Sequence, residues 1–173
     1  RNGYPFIVKP DKGVGASNTY KVENQDQLIQ ILQNNHNNYV IEPFVIGQIV
    51  TFDGLVDKDS NIMFHSSFEL GNNRDINPLL IEYGRKIVKG FNVRERFFHI
   101  EFFKVRENEY KVIEINVRPP GGYGIDMQNY SCDIDLFKVF AELVVHNNNH
   151  LEYERKYNVA CALRRDRFHY VHS

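Results

Sequence analysis

Only two cysteines, Cys132 and Cys161, occur in 173 residues, and their spacing matches no disulfide framework. That usage predicts a reducing, cytoplasmic location. Charge of one sign is also missing. The formal net charge is −1, so no basic field is available to draw in nucleic acid or an anionic membrane surface. No apolar run approaches the length of a transmembrane helix, and no signal-peptide pattern precedes Arg1. No segment repeats. The chain enters its first apolar stretch straight after Arg1-Asn2-Gly3, without a start methionine, and closes on aromatic and basic residues. A piece of a longer protein is therefore the expectation. What remains is ordinary: 42% hydrophobic and 25% charged residues, a globular composition. The length suggests one domain or two small subdomains with a sizeable core.

The most informative stretch runs from 97 to 122, FFHIEFFKVRENEYKVIEINVRPPGG. Two apolar runs, Phe97–Val105 and Tyr110–Val117, flank the polar Arg106–Glu109, which is a β-hairpin pattern. Side chains alternate faces along a strand. Phe97, His99, Glu101 and Phe103 share one face, and Glu114, Asn116 and Arg118 share one face of the returning strand. With a loop of Glu107–Asn108, or of residues 106 to 109, Glu101 falls opposite Glu114 and His99 opposite Asn116. Like charges placed so repel. A shared proton, a basic neighbour or a hard cation must offset them. Two carboxylates and the Asn116 amide oxygen form an all-oxygen set suited to Mg²⁺ or Mn²⁺. Arg118, followed by Pro119-Pro120-Gly121-Gly122, adds a guanidinium and a bare backbone beside it, a setting for polyphosphate. A salt bridge from Arg118 to Glu114 is the structural alternative.

Elsewhere, Tyr4–Pro10 reads as a strand ending near Lys9. Asp11–Ser17, with Gly13, Gly15, Ala16 and Ser17, is either a flexible turn or a loop whose N–H groups approach an anion. Thr19–Val22 reads as a strand. Asn24 and Gln27 form a capping-box pattern ahead of a helix with Leu28, Ile31 and Leu32 on one stripe. The asparagine-rich turn around His36 ends it. Tyr39–Gly47 is expected as a buried strand that Pro43 interrupts at a hinge. Strands are predicted over Gln48–Val56, Ile62–Leu70 and Asn158–Arg164. A helix is predicted over Asn77–Gly90, with Pro78 in its first turn. A further helix from near Asp133 should bury Ile134, Phe137, Ala141 and Val144. His146–His150 reads as a polar turn.

The order PFIVKP, DKGVGAS, YVIEPFVIG, HIEFF, IEINVRPPGG resembles the ATP-grasp superfamily, in particular carboxylate–amine ligases with a carbamoyl-phosphate-synthase-like or L-amino-acid-ligase-like core. The similarity spans Pro5 to about Asp126. It implies an α+β fold, two lobes with antiparallel sheets gripping ATP: residues 1–43 a partial small lobe whose N-terminal part is missing, and 44–173 the large lobe. It implies that Lys9 contacts the α- and β-phosphates and that Gly13–Ser17 covers them. Glu42, Pro43 and Phe44 would read adenine. Glu101, Glu114 and Asn116 would hold Mg²⁺, or Mn²⁺ in its place. Arg118 would act near the γ-phosphate, with Lys9 as the second catalytic group. The implied reaction activates a carboxylate as an acyl phosphate for attack by an amine. The implied partners are small-molecule carboxylate and amine substrates, the missing N-terminal domain of the same protein and, in a homodimer, a second copy.

Two departures stand out. Gln48 and Ile49 follow Gly47 where many relatives place an acidic ribose-binding residue, a role Glu69 or Gln48 could take. His99 stands where some relatives have arginine. A non-catalytic nucleotide-binding or regulatory module on the same fold is the alternative function. A divalent-metal-binding β-rich domain unrelated to nucleotide is a third, which Lys9, the glycine loop and the hinge disfavour.

Overall fold

The computed structural model describes residues 3–12, 17–34, 38–69 and 76–162. The chain divides into two compact units, Arg1–Ile46 and Gly47–Ser173.

In the first unit, strands β1 (Phe6–Pro10), β2 (Tyr20–Val22) and β3 (Tyr39–Pro43) form an antiparallel sheet in the order β2-β1-β3. Val8 and Val22 are fully buried in it. Helix α1 spans Gln25–Asn34. Its start is capped as the Asn24/Gln27 pattern predicts: Asn24 Oδ1 accepts from the Gln27 N–H at 3.0 Å. The return bond reaches Glu23 rather than the cap residue, with the Glu23 N–H donating to Gln27 Oε1 at 2.9 Å. Leu28 and Ile31 are half-buried, while Leu32 is exposed.

The expected buried strand 39–47 is shorter and more open. It stops at Pro43, opposite Phe6, and its Val40 and Ile41 are exposed. The reason is position: β3 is an edge strand, where proline is tolerated as the last residue because no further ladder bond is required of it.

The second unit holds strands β4 (Gln48–Val56), β5 (Ile62–Ser66), β6 (Arg96–Arg106) and β7 (Glu109–Asn116) in an antiparallel sheet ordered β5-β4-β6-β7. Helices α2 (Pro78–Gly90), α3 (Gly124–Cys132) and α4 (Leu136–His146) pack against it. Strand alternation separates the two faces. Val50, Phe52, Phe98, Ile100 and Phe102 pack with Leu80 and Val88 of α2. Leu55, Phe64 and Phe97 pack with Ile125 of α3 and with Leu136 and Leu143 of α4. Each large side chain so buried contributes roughly 1.5–3 kcal/mol.

Helix α2 approaches closely because residue 84 is glycine: a Cβ there would sit 2.1 Å from the Phe52 ring. The Asn77 side chain accepts from the Leu79 N–H at 2.9 Å and caps the helix, with Pro78 in its first turn. Asp57 shapes the β4–β5 turn by accepting from the Asp59 and Asn61 N–H groups, both at 2.8 Å.

Three expectations are corrected here. The strand from Ile62 ends at Ser66, beyond which only an isolated bridge pairs Glu69 with Val50; Leu70 lies outside the described residues. Residues 158–162 form no strand, and 163–164 lie outside the described residues. Helix α4 buries the other stripe, Leu136 and Leu143, while Phe137 and Val144 are 54% and 52% exposed. Nearly every position from 136 to 145 is apolar, so two stripes compete. The Asp135 carboxylate accepts from the Phe137 and Lys138 N–H groups, both at 3.0 Å, and fixes where the helix starts, while packing in the core takes Leu136 and Leu143.

Candidate functional site

The face of the second sheet that carries Leu55 and Phe97 turns polar along its strands. Two cross-strand rows cover it. Asp53 on β4 is paired with His99 on β6, which is paired with Asn116 on β7. One step on, Thr51 is paired with Glu101, which is paired with Glu114. The hairpin turns at Glu107–Asn108, and Glu101 does face Glu114.

That register survives two irregularities. The pairing shifts between Lys104 and Arg106, where Val105 on β6 has no partner. It shifts back between Glu101 and Phe102, where Ile113 is the extra residue on β7. One extra residue on each strand cancels, so the face is restored at the carboxylates.

The groups in these rows are bonded to one another. Thr51 Oγ1 donates to Asp53 Oδ2 at 2.6 Å and accepts from the Phe68 N–H at 3.2 Å. His99 Nδ1 meets Asp53 Oδ1 at 2.5 Å, and its Nε2 meets Glu101 Oε1 at 3.0 Å. Asp53 is 4% and His99 9% exposed. The hydrogen bond to Asp53 raises the His99 pKa. Burial opposes this, and the charges of Asp53 and Glu101 reinforce it. Asn116 Nδ2 donates to Glu114 Oε1 at 2.7 Å, so the amide oxygen is the atom Asn116 could offer a cation.

The repulsion foreseen between Glu101 and Glu114 is thus met in part by a basic neighbour, His99. On this face three carboxyl groups, Asp53, Glu101 and Glu114, stand against one imidazole. Among the described residues, no group of three or more His, Cys, Asp and Glu side chains is placed to hold a metal ion. The available donor set is two carboxylates and one amide oxygen. It fits Mg²⁺, which ordinarily takes one or two carboxylates and completes its shell with water and substrate phosphates.

Arg118 follows β7 and is exposed. Its Nη1 donates to the Pro119 carbonyl at 2.8 Å. Among the described residues no ion pair joins it to Glu114. In the turn beyond it, Gly122 has φ +59°, the left-handed region that glycine enters without strain.

In the first unit, Lys9 Nζ pairs with Glu42 Oε2 at 2.9 Å, so the two residues expected on phosphate and base touch each other. Phe44 donates its N–H to the Pro5 carbonyl at 3.3 Å, and Lys21 Nζ lies 4.8 Å from its ring centre. Pro43 and Ser17 are exposed; Gly13, Gly15 and Ala16 lie outside the described residues. Glu69 accepts from Lys104 Nζ at 2.8 Å.

The sequence reasoning missed Asp53 and Thr51. Their signal was present: the alternation Thr51, Asp53, Leu55 puts both on one face, and pairing β4 with β6 brings Asp53 to His99.

No family model matches the chain, and no curated protein matches it. Solved structures do. The L-amino acid ligase from Bacillus licheniformis superposes with a TM-score of 0.64 at 16% identity, over 83% of this chain and 39% of that one. The N5-carboxyaminoimidazole ribonucleotide synthetase from Thermotoga maritima gives 0.62 at 21% identity, over 82% and 39%. The biotin carboxylase domain of the Hydrogenobacter thermophilus 2-oxoglutarate carboxylase, solved with MgADP, ADP and bicarbonate, gives 0.63 at 17% identity, over 82% and 36%. The chain therefore spans well under half the length of each of these proteins. Within that span, with two antiparallel sheets and the helices packed on them, it shares the fold of these proteins, the ATP-grasp fold.

Proposed function

We propose that this chain is the core of an ATP-dependent ligase that activates a carboxylate as an acyl phosphate for attack by an amine. The observation that carries the proposal is the pair of polar rows on β4, β6 and β7, which put three carboxyl groups on one sheet face with a single imidazole bonded to two of them. A protein retains such an excess of negative charge at a half-buried place when a cation belongs there.

Glu101, Glu114 and Asn116 would hold Mg²⁺. That ion supplies charge neutralisation to phosphate oxygens when bound. Lys9 would exchange Glu42 for the α- and β-phosphates, since an ion pair this exposed costs little to open. Arg118, exposed and bonded through its side chain to the Pro119 carbonyl among the described residues, would grip the transferring phosphoryl group with two parallel N–H donors.

In the first step a carboxylate oxygen attacks the γ-phosphorus. A new P–O bond forms, the bond to the β–γ bridging oxygen breaks, and ADP leaves with that electron pair. In the second step the amine nitrogen attacks the acyl carbon. The C–N bond forms, phosphate departs with the C–O pair, and the nitrogen gives up a proton. Phosphoryl transfer of this kind asks the protein mainly for alignment and charge neutralisation, so no Ser–His or Cys–His nucleophile is needed. Small carboxylate and amine molecules are the proposed substrates. The biotin carboxylase neighbour, solved with MgADP and bicarbonate, supports this choice of ligands by analogy of fold.

The test is ATP-dependent phosphate release by the complete protein over a panel of carboxylates and amines. Release that requires both Mg²⁺ and one member of each class supports a ligase. ATP binding without release under every combination favours a regulatory nucleotide-binding module instead.

A further inference from the structure

We infer that Asp53 and His99 are positioning residues that fix the rotamer of Glu101, so that one of its carboxylate oxygens is held and the other is left for a divalent cation. The inference rests on the metal role proposed for Glu101.

A glutamate on a strand face has three side-chain torsions to settle, and an unrestrained carboxylate is a poor preformed ligand. Glu101 is restrained by a continuous chain of bonds. The Phe68 N–H donates to Thr51 Oγ1, and that hydroxyl donates to Asp53 Oδ2. The other oxygen of Asp53 meets His99 Nδ1, and His99 Nε2 meets Glu101 Oε1. The chain begins at a backbone amide and ends at a single oxygen of Glu101.

The imidazole cannot turn without breaking contacts at both nitrogens. Asp53 and His99 are nearly buried, so both are held by packing as well. Strand pairing supplies the base for this arrangement: Asp53 is opposite His99, and Thr51–Asp53 and His99–Glu101 are each two residues apart along one strand, so the three side-chain links follow from the sheet. Among the described residues, Glu114 accepts from the Asn116 amide, whereas Glu101 meets a ring held at both nitrogens and is the more firmly placed of the two. Partners of this kind behind a ligand ordinarily govern affinity, and removing one costs roughly ten- to a hundredfold.

The experiment titrates Mn²⁺ alone into the 173-residue chain and reads free ion by electron paramagnetic resonance, with the fold checked by circular dichroism. Glu101→Gln is the reference variant. Asp53→Ala and His99→Phe are expected to weaken Mn²⁺ binding by roughly tenfold in folded protein. Asp53→Asn keeps an oxygen to accept from the ring, and is expected to stay close to wild type. That rescue would not follow from a general loss of packing.

If Glu101→Gln leaves Mn²⁺ affinity unchanged, or the wild type binds none, the metal role of Glu101 fails and the inference with it. If Glu101→Gln abolishes binding while Asp53→Ala and His99→Phe leave it intact, only the positioning role is overturned. Should those two variants not fold, Thr51→Val decides. It removes one hydroxyl and is expected to weaken binding in the same direction; unchanged affinity overturns the inference.

Discussion

At Arg118 a role in function and a role in support can be told apart by experiment. Its guanidinium is exposed and bonds to the carbonyl of the next residue, and it makes no ion pair with Glu114 among the described residues. A residue with so little in the fold to lose should be replaceable without cost to stability. Arg118→Lys in the complete enzyme is therefore expected to leave the melting temperature unchanged and to lower turnover by roughly a hundredfold, the scale of a misplaced reacting group. A lowered melting temperature with normal turnover of the folded protein would assign the arginine to structure. Lys9 and Glu42 make the complementary case. Their ion pair is 2.9 Å long but partly exposed, so Glu42→Gln is expected to cost less than about 1 kcal/mol of stability in a denaturant titration. At this scale the sequence disclosed the paired carboxylates, since a strand's period of two and a short hairpin loop suffice to set Glu101 against Glu114. It withheld Asp53, whose role depends on which strand lies beside β6, a non-local pairing that no local pattern announces.

Among the elements, the hairpin was legible with its faces, while α4 was legible as a helix but not in the face it buries, for one physical reason. In β6 and β7 polar and apolar side chains alternate, so the pattern fixes the face. In α4 almost every side chain is apolar, so the pattern permits two faces, and packing in the core chooses Leu136 and Leu143. Helix α3 carried little apolar periodicity to find it by: only Ile125 and Cys132 are buried in it. The packing of α2 can be tested through two glycines that differ only in surroundings. A Cβ on Gly84 would meet the Phe52 ring at 2.1 Å, whereas one on Gly90 would meet nothing within 4 Å. Gly84→Ala gains roughly 1 kcal/mol of helix propensity. It loses more to overpacking, which costs about 1–3 kcal/mol and more where the clash is with a ring held in the core. A net fall in stability is expected. Gly90→Ala should raise stability by a few tenths of a kcal/mol, roughly, at the frayed end of the helix. Thermal unfolding of the two variants side by side checks both signs.

For the whole molecule, one buried-side histidine should be visible in the pH dependence of stability. His65 is half-buried. Its Nδ1 meets the Tyr153 hydroxyl at 3.1 Å. Burial, and then the charges of Arg85 and Arg155, hold its pKa below the ordinary histidine value. The unfolded chain therefore takes up a proton at a higher pH than the folded one, and stability rises with pH across that interval. The contribution is complete above the unfolded value of about 6.5 and is lost as pH falls through the folded value. His65→Gln is expected to flatten the decline in stability on the acid side of neutrality; an unchanged slope would remove His65 from the balance. The chain spans 36% to 41% of the solved proteins it resembles, so the reaction must be examined in the complete protein. The most direct measurement supplies a carboxylate labelled in both oxygens with heavy oxygen, together with ATP, Mg²⁺ and an amine, and follows the label by mass spectrometry. Activation as an acyl phosphate transfers one labelled oxygen to the phosphate released, and Glu114→Gln abolishes both release and label. Phosphate released without label would contradict attack of the carboxylate on the γ-phosphorus.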